Sequence, residues 1–220
     1  MGLLAVTLLV SVAGFADHAL VRILDRNAGA IAAGQWWRLL TSLLVHDHWW
    51  QLSLNCVLLV LFGFEAEHLF SRLQMLLLYI LGGITGELAG CFWQPVGAGN
   101  SVAACGLLGG LLVAGLAGHV PAMWIARVSG LYLIVGLTGE AAFGFAGAIV
   151  LCAAVALLLI LFQIGGRSPY RDSLAIEVIA LLGAVTLVFL RDIHGAATVA
   201  GACAGWFMKA RRSHADAGTH

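Results

Sequence analysis

The run from Val96 to Gly110, VGAGNSVAACGLLGG, places an amide and a hydroxyl, Asn100 and Ser101, at the mouth of a long apolar segment. A polar side chain in that setting costs free energy unless it has a partner or a task. Ser101 is the candidate nucleophile. A serine hydroxyl reacts poorly until an imidazole accepts its proton, so a histidine must be able to reach it. His194 stands at the start of another apolar run, as Ser101 does, and is the candidate base. The competing reading is that Asn100 and Ser101 cap a helix start, which both residue types favour.

The elements that must position this pair follow from composition. With 61% hydrophobic and 10% charged residues and a mean hydropathy of +0.99, the 220 residues carry too little polar surface for a water-soluble globule. The expected fold is all-α, a polytopic transmembrane helical bundle in a single domain, 1–220. Eight spans are expected: Met1 to Leu20, Gln51 to Phe64, Leu73 to Trp93, Ser101 to Ala117, and roughly 121–138, 142–164, 174–190 and 193–208. The first run lacks a basic start and reads as a retained span, not a cleaved signal. Val6 also stands where myristoylation would need Ser or Thr.

Residues 21–49 carry Arg22, Asp25, Arg26 and Arg38, too many charges for a span. They also carry Trp36, Trp37 and Trp49, followed by Trp50, aromatics that favour a membrane interface; a long loop on or partly in one leaflet is expected. A polar turn with Glu65, Glu67, His68 and Arg72 should separate spans two and three. Arg72, Arg167, Arg171, Lys209, Arg211 and Arg212 then share one side, against Arg22, Arg26, Arg38 and Arg191 on the other. The positive-inside rule puts both termini in the cytoplasm, with the plasma membrane as the expected location. Spans four and eight run the same way, so Ser101 and His194 lie at similar shallow depth below the outer surface.

Gly106 with Gly110, and Gly201 with Gly205, are small-x3-small pairs that let two helix backbones approach. Gly82, Gly83, Gly86 and Gly90 read as ordinary helix association. The formal net charge of +0 gives no basic face, so no nucleic-acid partner is expected. Cys56, Cys91, Cys105, Cys152 and Cys203 lack paired metal-ligand spacing and read as small buried packing residues; no metal or cofactor is expected.

These residues carry a resemblance to the rhomboid family of intramembrane serine proteases. Trp37-Arg38 resembles the family's Trp-Arg motif, and His46, Gln51 and Asn55 fall along its His-x4-His-x3-Asn pattern. Gly63 to Glu67 resembles the end of its second core helix. Gly99-x-Ser101 followed by Gly106-Leu107-Leu108-Gly109 resembles its Gly-x-Ser-Gly helix, and Val199-Ala200-Gly201 with Gly205 its small-residue stretch after the catalytic His. The resemblance implies a rhomboid-like fold and cleavage of a peptide bond of a transmembrane protein substrate at or just inside the membrane surface. Ser101 would attack, His194 would take its proton, and Asn55, Gln51 and His46 would join the Ser101 N–H as oxyanion donors. Asn55 and Gln51 should face span four. Asn and Gln in a span also commonly bond a neighbouring helix, and His46 beside Asp47 also fits a merely interfacial residue.

Three positions depart from the family pattern. Val102 follows the serine where Gly is usual, Gln51 replaces a His, and alignment on Gly201 and Gly205 puts Thr198 at the usual base position. Thr cannot be the base. His194 lies four residues earlier, about 6 Å along a helix and roughly 40° round it, on the same face one turn nearer the outside. Between Ser101 and the last span there is room for three spans where a minimal rhomboid core has one. Asp192 could tune the His194 imidazole upward and Arg191 downward, although their short spacing points to local structure more than to a triad. Two other functions stay open: a rhomboid-like pseudoprotease that binds transmembrane clients, suggested by Thr198, Val102 and Gln51, and a small-solute or metal transporter. The transporter rests on Glu87, Arg127, Glu140, Glu177 and the His46-Asp47-His48 cluster.

Overall fold

The structure, a computed structural model, describes residues 2–119, 123–164 and 169–208, with side-chain surroundings for 2–119, 123–161 and 174–208. Of the residues used above for orientation, Arg167, Lys209, Arg211, Arg212 and the side chain of Arg171 lie outside the described residues.

The first apolar run ends earlier than its hydropathy suggests. Helix α1 (Gly2–Ala16) stops where the Asp17 side chain accepts the Ala19 N–H and starts a new helix, α2 (His18–Leu24). The expected loop is then folded, through α3 (Ala28–Ala32), α4 (Arg38–Thr41) and a 3-10 turn (Ser42–Leu44). A short antiparallel pair, β1 (Arg26–Asn27) with β2 (Val96–Gly97), ties it to the segment before Ser101. Trp36, Trp37, Trp49 and Trp50 are all more than half exposed, whereas Arg26 and Arg38 are buried.

Helix α5 (Trp49–Leu69) runs past the expected polar turn, because Glu65 is buried and accepts the Met123 N–H at 2.9 Å. The turn is instead at Phe70-Ser71, where Ser71 and Gln74 form a capping box that opens α6 (Arg72–Trp93). Helix α7 (Ser101–Leu116) is the centre of the bundle: 13 of its 16 residues are buried, against α5, α6 and two later helices. Its 16 residues span about 24 Å, less than the roughly 30 Å of a bilayer core.

The two expected spans, 121–138 and 142–164, are the two arms of α8 (Trp124–Ile164). It reverses at Gly144, whose φ of 73° and ψ of −171° lie outside helical space. A Cβ on Gly139 would sit 2.6 Å from the Gly147 carbonyl oxygen, although eight residues of straight helix would separate them by about 12 Å. The two arms are therefore a tight helical hairpin. Helices α9 (Pro169–Phe189) and α10 (Ile193–Phe207) complete the order, each within a residue or two of its expected C-terminal end.

Helices α7 and α10 pack in parallel. Gly106 faces Gly201 and Gly110 faces Gly205, a constant offset along both chains. Gly82 and Gly86 of α6 close the third side, against Gly106, Val102 and Ala197. Any Cβ at Gly82 or Gly86 would collide, so these glycines bring three backbones together. Cys105 is buried, but Cys203 is exposed, because it faces away from this seam. Trp49–Leu69, Arg72–Trp93 and the stretch Trp124–Leu161 are long and apolar enough to cross a membrane; Gly2–Ala16, Ser101–Leu116 and Leu174–Phe189 are shorter apolar helices.

Candidate active site

Ser101 is the first residue of α7 and His194 the second of α10, so parallel packing sets them at the same end of the bundle. The Ser101 Oγ and His194 Nε2 are 3.0 Å apart. His194 Nδ1 lies 2.8 Å from Asp192 Oδ1, and that oxygen also accepts the His194 backbone N–H at 2.8 Å. Burial works against charge on Asp192, but hydrogen bonds from His194 and the nearby imidazole outweigh it and hold the carboxyl below its usual range. An ionised carboxylate only accepts, so the ring proton belongs on Nδ1. Nε2 then presents its lone pair to the serine hydroxyl.

Asn100 occupies the N-cap position of α7 but makes no side-chain cap bond, which removes the capping reading for it. Its side chain turns to His46 instead, with Oδ1 3.3 Å from Nε2. His46 Nε2 also accepts from Asn55 Nδ2 at 3.0 Å and from the Asn100 N–H at 3.4 Å. These donors leave the ring proton on Nδ1, where it donates to Ser11 Oγ at 2.9 Å, and Ser11 donates on to the Leu44 carbonyl at 2.9 Å. Reversing the Asn100 amide lets its Nδ2 share the single Nε2 lone pair with the Asn55 donor and turns Oδ1 toward the Tyr79 hydroxyl; Nδ2 and that hydroxyl have no hydrogen-bond partner otherwise. His46 is fully buried, and burial, ahead of all other influences, lowers its pKa.

Gln51 bridges two backbones, accepting from the Asp47 N–H at 3.0 Å and donating to the Ala98 carbonyl at 2.8 Å. Gly99, with φ of +124°, donates its N–H to the Ser42 carbonyl at 2.9 Å, and the Gln51 and Asn55 amides fill the space beside its Cα. The turn before Ser101 is thus held by Gln51, Asn55 and His46 together. His46 Nε2 lies within hydrogen-bond reach of the Asn55 amide and of Asn100, so His46 braces the turn that precedes Ser101.

Thr198 does not face Ser101. It is buried one turn deeper, where its Oγ1 donates to the His194 carbonyl at 2.7 Å. Arg191 has a φ of 60° and ends α9: its N–H donates to Val188 O at 3.0 Å, and the Asp192 N–H to Leu187 O at 2.9 Å. This Schellman pattern makes the α9–α10 connection short and brings Asp192 straight to the start of α10.

Three of the charges that suggest a transporter, Glu87, Arg127 and Glu177, are held in ion pairs. Arg26 Nη1 meets Glu87 Oε2 at 2.9 Å, both side chains 1% exposed, and Arg26 Nε donates to Gln94 O at 2.9 Å. The Arg127–Glu177 ion pair, 2.6 Å, lies where α8 meets α9, and Glu140 is exposed near the hairpin tip. Arg38 pairs with Asp25 at 2.8 Å and also donates to the Asp25 and Arg22 carbonyls. The sequence reading passed over Ser11, although Thr7, Ser11 and Gly14 mark one buried face of an otherwise apolar helix. That polar face was the available signal.

The Rhomboid domain model matches residues 33–122, a stretch that includes His46, Gln51, Asn55 and Ser101 but not His194. Over 130 residues the chain is 36% identical to Rhomboid protease GluP of Bacillus subtilis (strain 168), covering 59% of this chain and 25% of that protein. It is 32% identical over 68 residues to Rhomboid protease AarA of Providencia stuartii, 31% of this chain and 24% of that one. RHOMBOID-like protein 5 of Arabidopsis thaliana is 32% identical over 82 residues, 37% and 26% of the two chains. The chain spans about a quarter of the length of these relatives. No solved structure matches it. The Rhomboid domain match over residues 33–122 and the long apolar helices together mark this chain as an integral membrane protein that carries a rhomboid-like domain.

Proposed function

We propose that the chain is an intramembrane serine endopeptidase that cuts transmembrane protein substrates with Ser101 as nucleophile and His194 as general base. The observation that carries this reading is the 3.0 Å contact between Ser101 Oγ and His194 Nε2, within the 2.6–3.2 Å window for proton transfer. As Oγ bonds to the scissile carbonyl carbon, its proton passes to Nε2 and the carbonyl π electrons move onto oxygen. The Ser101 N–H, unpaired in its own helix as a first-turn donor, and the second amide proton of Asn55 are the donors nearest that oxyanion. His194 then returns its proton to the leaving nitrogen as the C–N bond breaks. Gln51 and His46 hold the turn that aims both donors.

In the same reading, residues 1–220 form one rhomboid-like domain with eight spans and both termini in the cytoplasm of a plasma membrane. Surrounding lipid covers the outward apolar residues of α8. The shortness of α7, with Ser101 as its first residue, supports cleavage just below the outer surface. Labelling by a serine-directed fluorophosphonate and cleavage of a reconstituted transmembrane substrate test the reading. Ser101→Ala and His194→Ala should abolish both signals, and Thr198→Val should leave them intact. An inert wild type made active by Thr198→His would instead establish a pseudoprotease that binds transmembrane clients. Solute or metal flux in proteoliposomes, with no cleavage, would favour the transporter.

A further inference from the structure

We infer that Asp192 is a positioning residue that completes a Ser101–His194–Asp192 relay; the inference rests on the Ser101–His194 reading above. Three observations converge on it. The carboxylate oxygen is 2.8 Å from His194 Nδ1, opposite the ring nitrogen that meets Ser101 Oγ. Its side chain is only 15% exposed, so water competes weakly for the contact. The backbone on both sides is anchored, because the same Oδ1 accepts the His194 N–H and the Asp192 N–H is spent on Leu187 O.

Spacing accounts for the geometry. A residue at the N-cap points its side chain at the first-turn N–H groups, and here the histidine sits at the second helical position, so its ring folds back over the same carboxylate. One oxygen therefore caps α10 and fixes the imidazole. The left-handed Arg191 just before it, an uncommon conformation for a long side chain, is the turn that delivers Asp192 there.

In the reaction the carboxylate keeps its charge. When the Ser101 proton moves to Nε2, the ring becomes an imidazolium whose Nδ1–H still donates to Asp192, so the new positive charge forms beside a fixed negative one. The other ionisable groups near this site are Glu87 on α6, already paired with Arg26, and the buried thiol of Cys105 on α7. The Gln94 side chain also bonds Asp192. None replaces the carboxylate at Nδ1.

The cap and the charge can be separated experimentally, since Asn and Ser cap helices about as well as Asp. Asp192→Asn and Asp192→Ser should keep the thermal midpoint of unfolding while lowering the rate of fluorophosphonate labelling at Ser101 about ten-fold or more. ¹⁵N NMR of the His194 ring, recorded in a Ser101→Ala background, should show the Nδ1–H tautomer with Asp192 and a tautomer mixture in Asp192→Ser. A labelling rate unchanged in both variants would overturn the role of Asp192 and leave Ser101–His194 standing. If the wild type does not label at all, the protease reading fails and the NMR result alone decides: equal tautomer ratios with and without the carboxylate refute the relay.

Discussion

Gly201 lies so close to Gly106 that a methyl group on it would fall on the Gly106 carbonyl oxygen, with the carbonyl carbon 2.7 Å away. This contact sets the spacing of α7 and α10, and so the distance between the serine and histidine at their shared end. Gly201→Ala should push the helices apart, cost about 1–3 kcal/mol by overpacking, and suppress Ser101 labelling without touching a site residue. Thermal unfolding in detergent and probe labelling measure the two effects. Full labelling in this variant would show that the seam does not control the pair.

The buried Arg26–Glu87 pair fastens the folded loop to α6 beside the turn that precedes Ser101. Glu87→Gln leaves a buried guanidinium without its counter-charge and should destabilise the protein by about 3–5 kcal/mol. Replacing both partners with Met should recover much of that loss. Equal midpoints for the single and double variants would argue against the ion pair as the cause.

His46 supplies a pH dependence with a definite sign. Burial lowers its pKa below the ordinary value of 6.5, so between these values the unfolded chain binds more protons than the folded one. Stability should be complete above about pH 6.5 and fall as the solution is acidified through the lower, folded value. His46→Gln should flatten that part of the curve. An acid slope identical in wild type and variant would assign the effect to another group.

Asn55 gives one amide proton to His46 and borders Gly99. Asn55→Ala should reduce cleavage about 100-fold if its other proton meets the oxyanion, with a loss of stability of only about 1 kcal/mol. An unchanged cleavage rate would remove Asn55 from the chemistry and leave it as a brace for the turn.

Eight spans require the reversal at Gly144 to lie on the same side as the loop before Ser101. In a cysteine-free background, a single cysteine at position 98 or 141 should react with an impermeant outside reagent, and one at position 118 should not. Protection of position 141 from that reagent would reduce the span count.

Much of the site was legible because it depends on residue type and local pattern. Ser101 and His194 were each marked as polar residues opening apolar runs, and the paired glycines announced a close helix contact. Asn55 and Gln51, four residues apart, necessarily share one helix face. Helix ends were less legible where tertiary contacts override polarity: α5 continues through Glu65 because a distant backbone N–H satisfies its carboxylate. The two spans expected over 121–138 and 142–164 are the two arms of the α8 hairpin, although one glycine makes the reversal without a polar loop.

By itself the sequence determined a helical membrane bundle and a serine at a helix start, because apolar length and helical periodicity are local properties. Tertiary structure decided the register of α10 against α7, and with it that His194, not Thr198, meets Ser101. That register follows from glycine backbones in contact across three helices, a matter of shape that no single segment encodes. It also decided that the Asp192 carboxylate turns to the imidazole and that Arg26 and Glu87, 61 residues apart, neutralise each other in the interior. Each of these pairings depends on distances between elements, which exist only once the helices have packed.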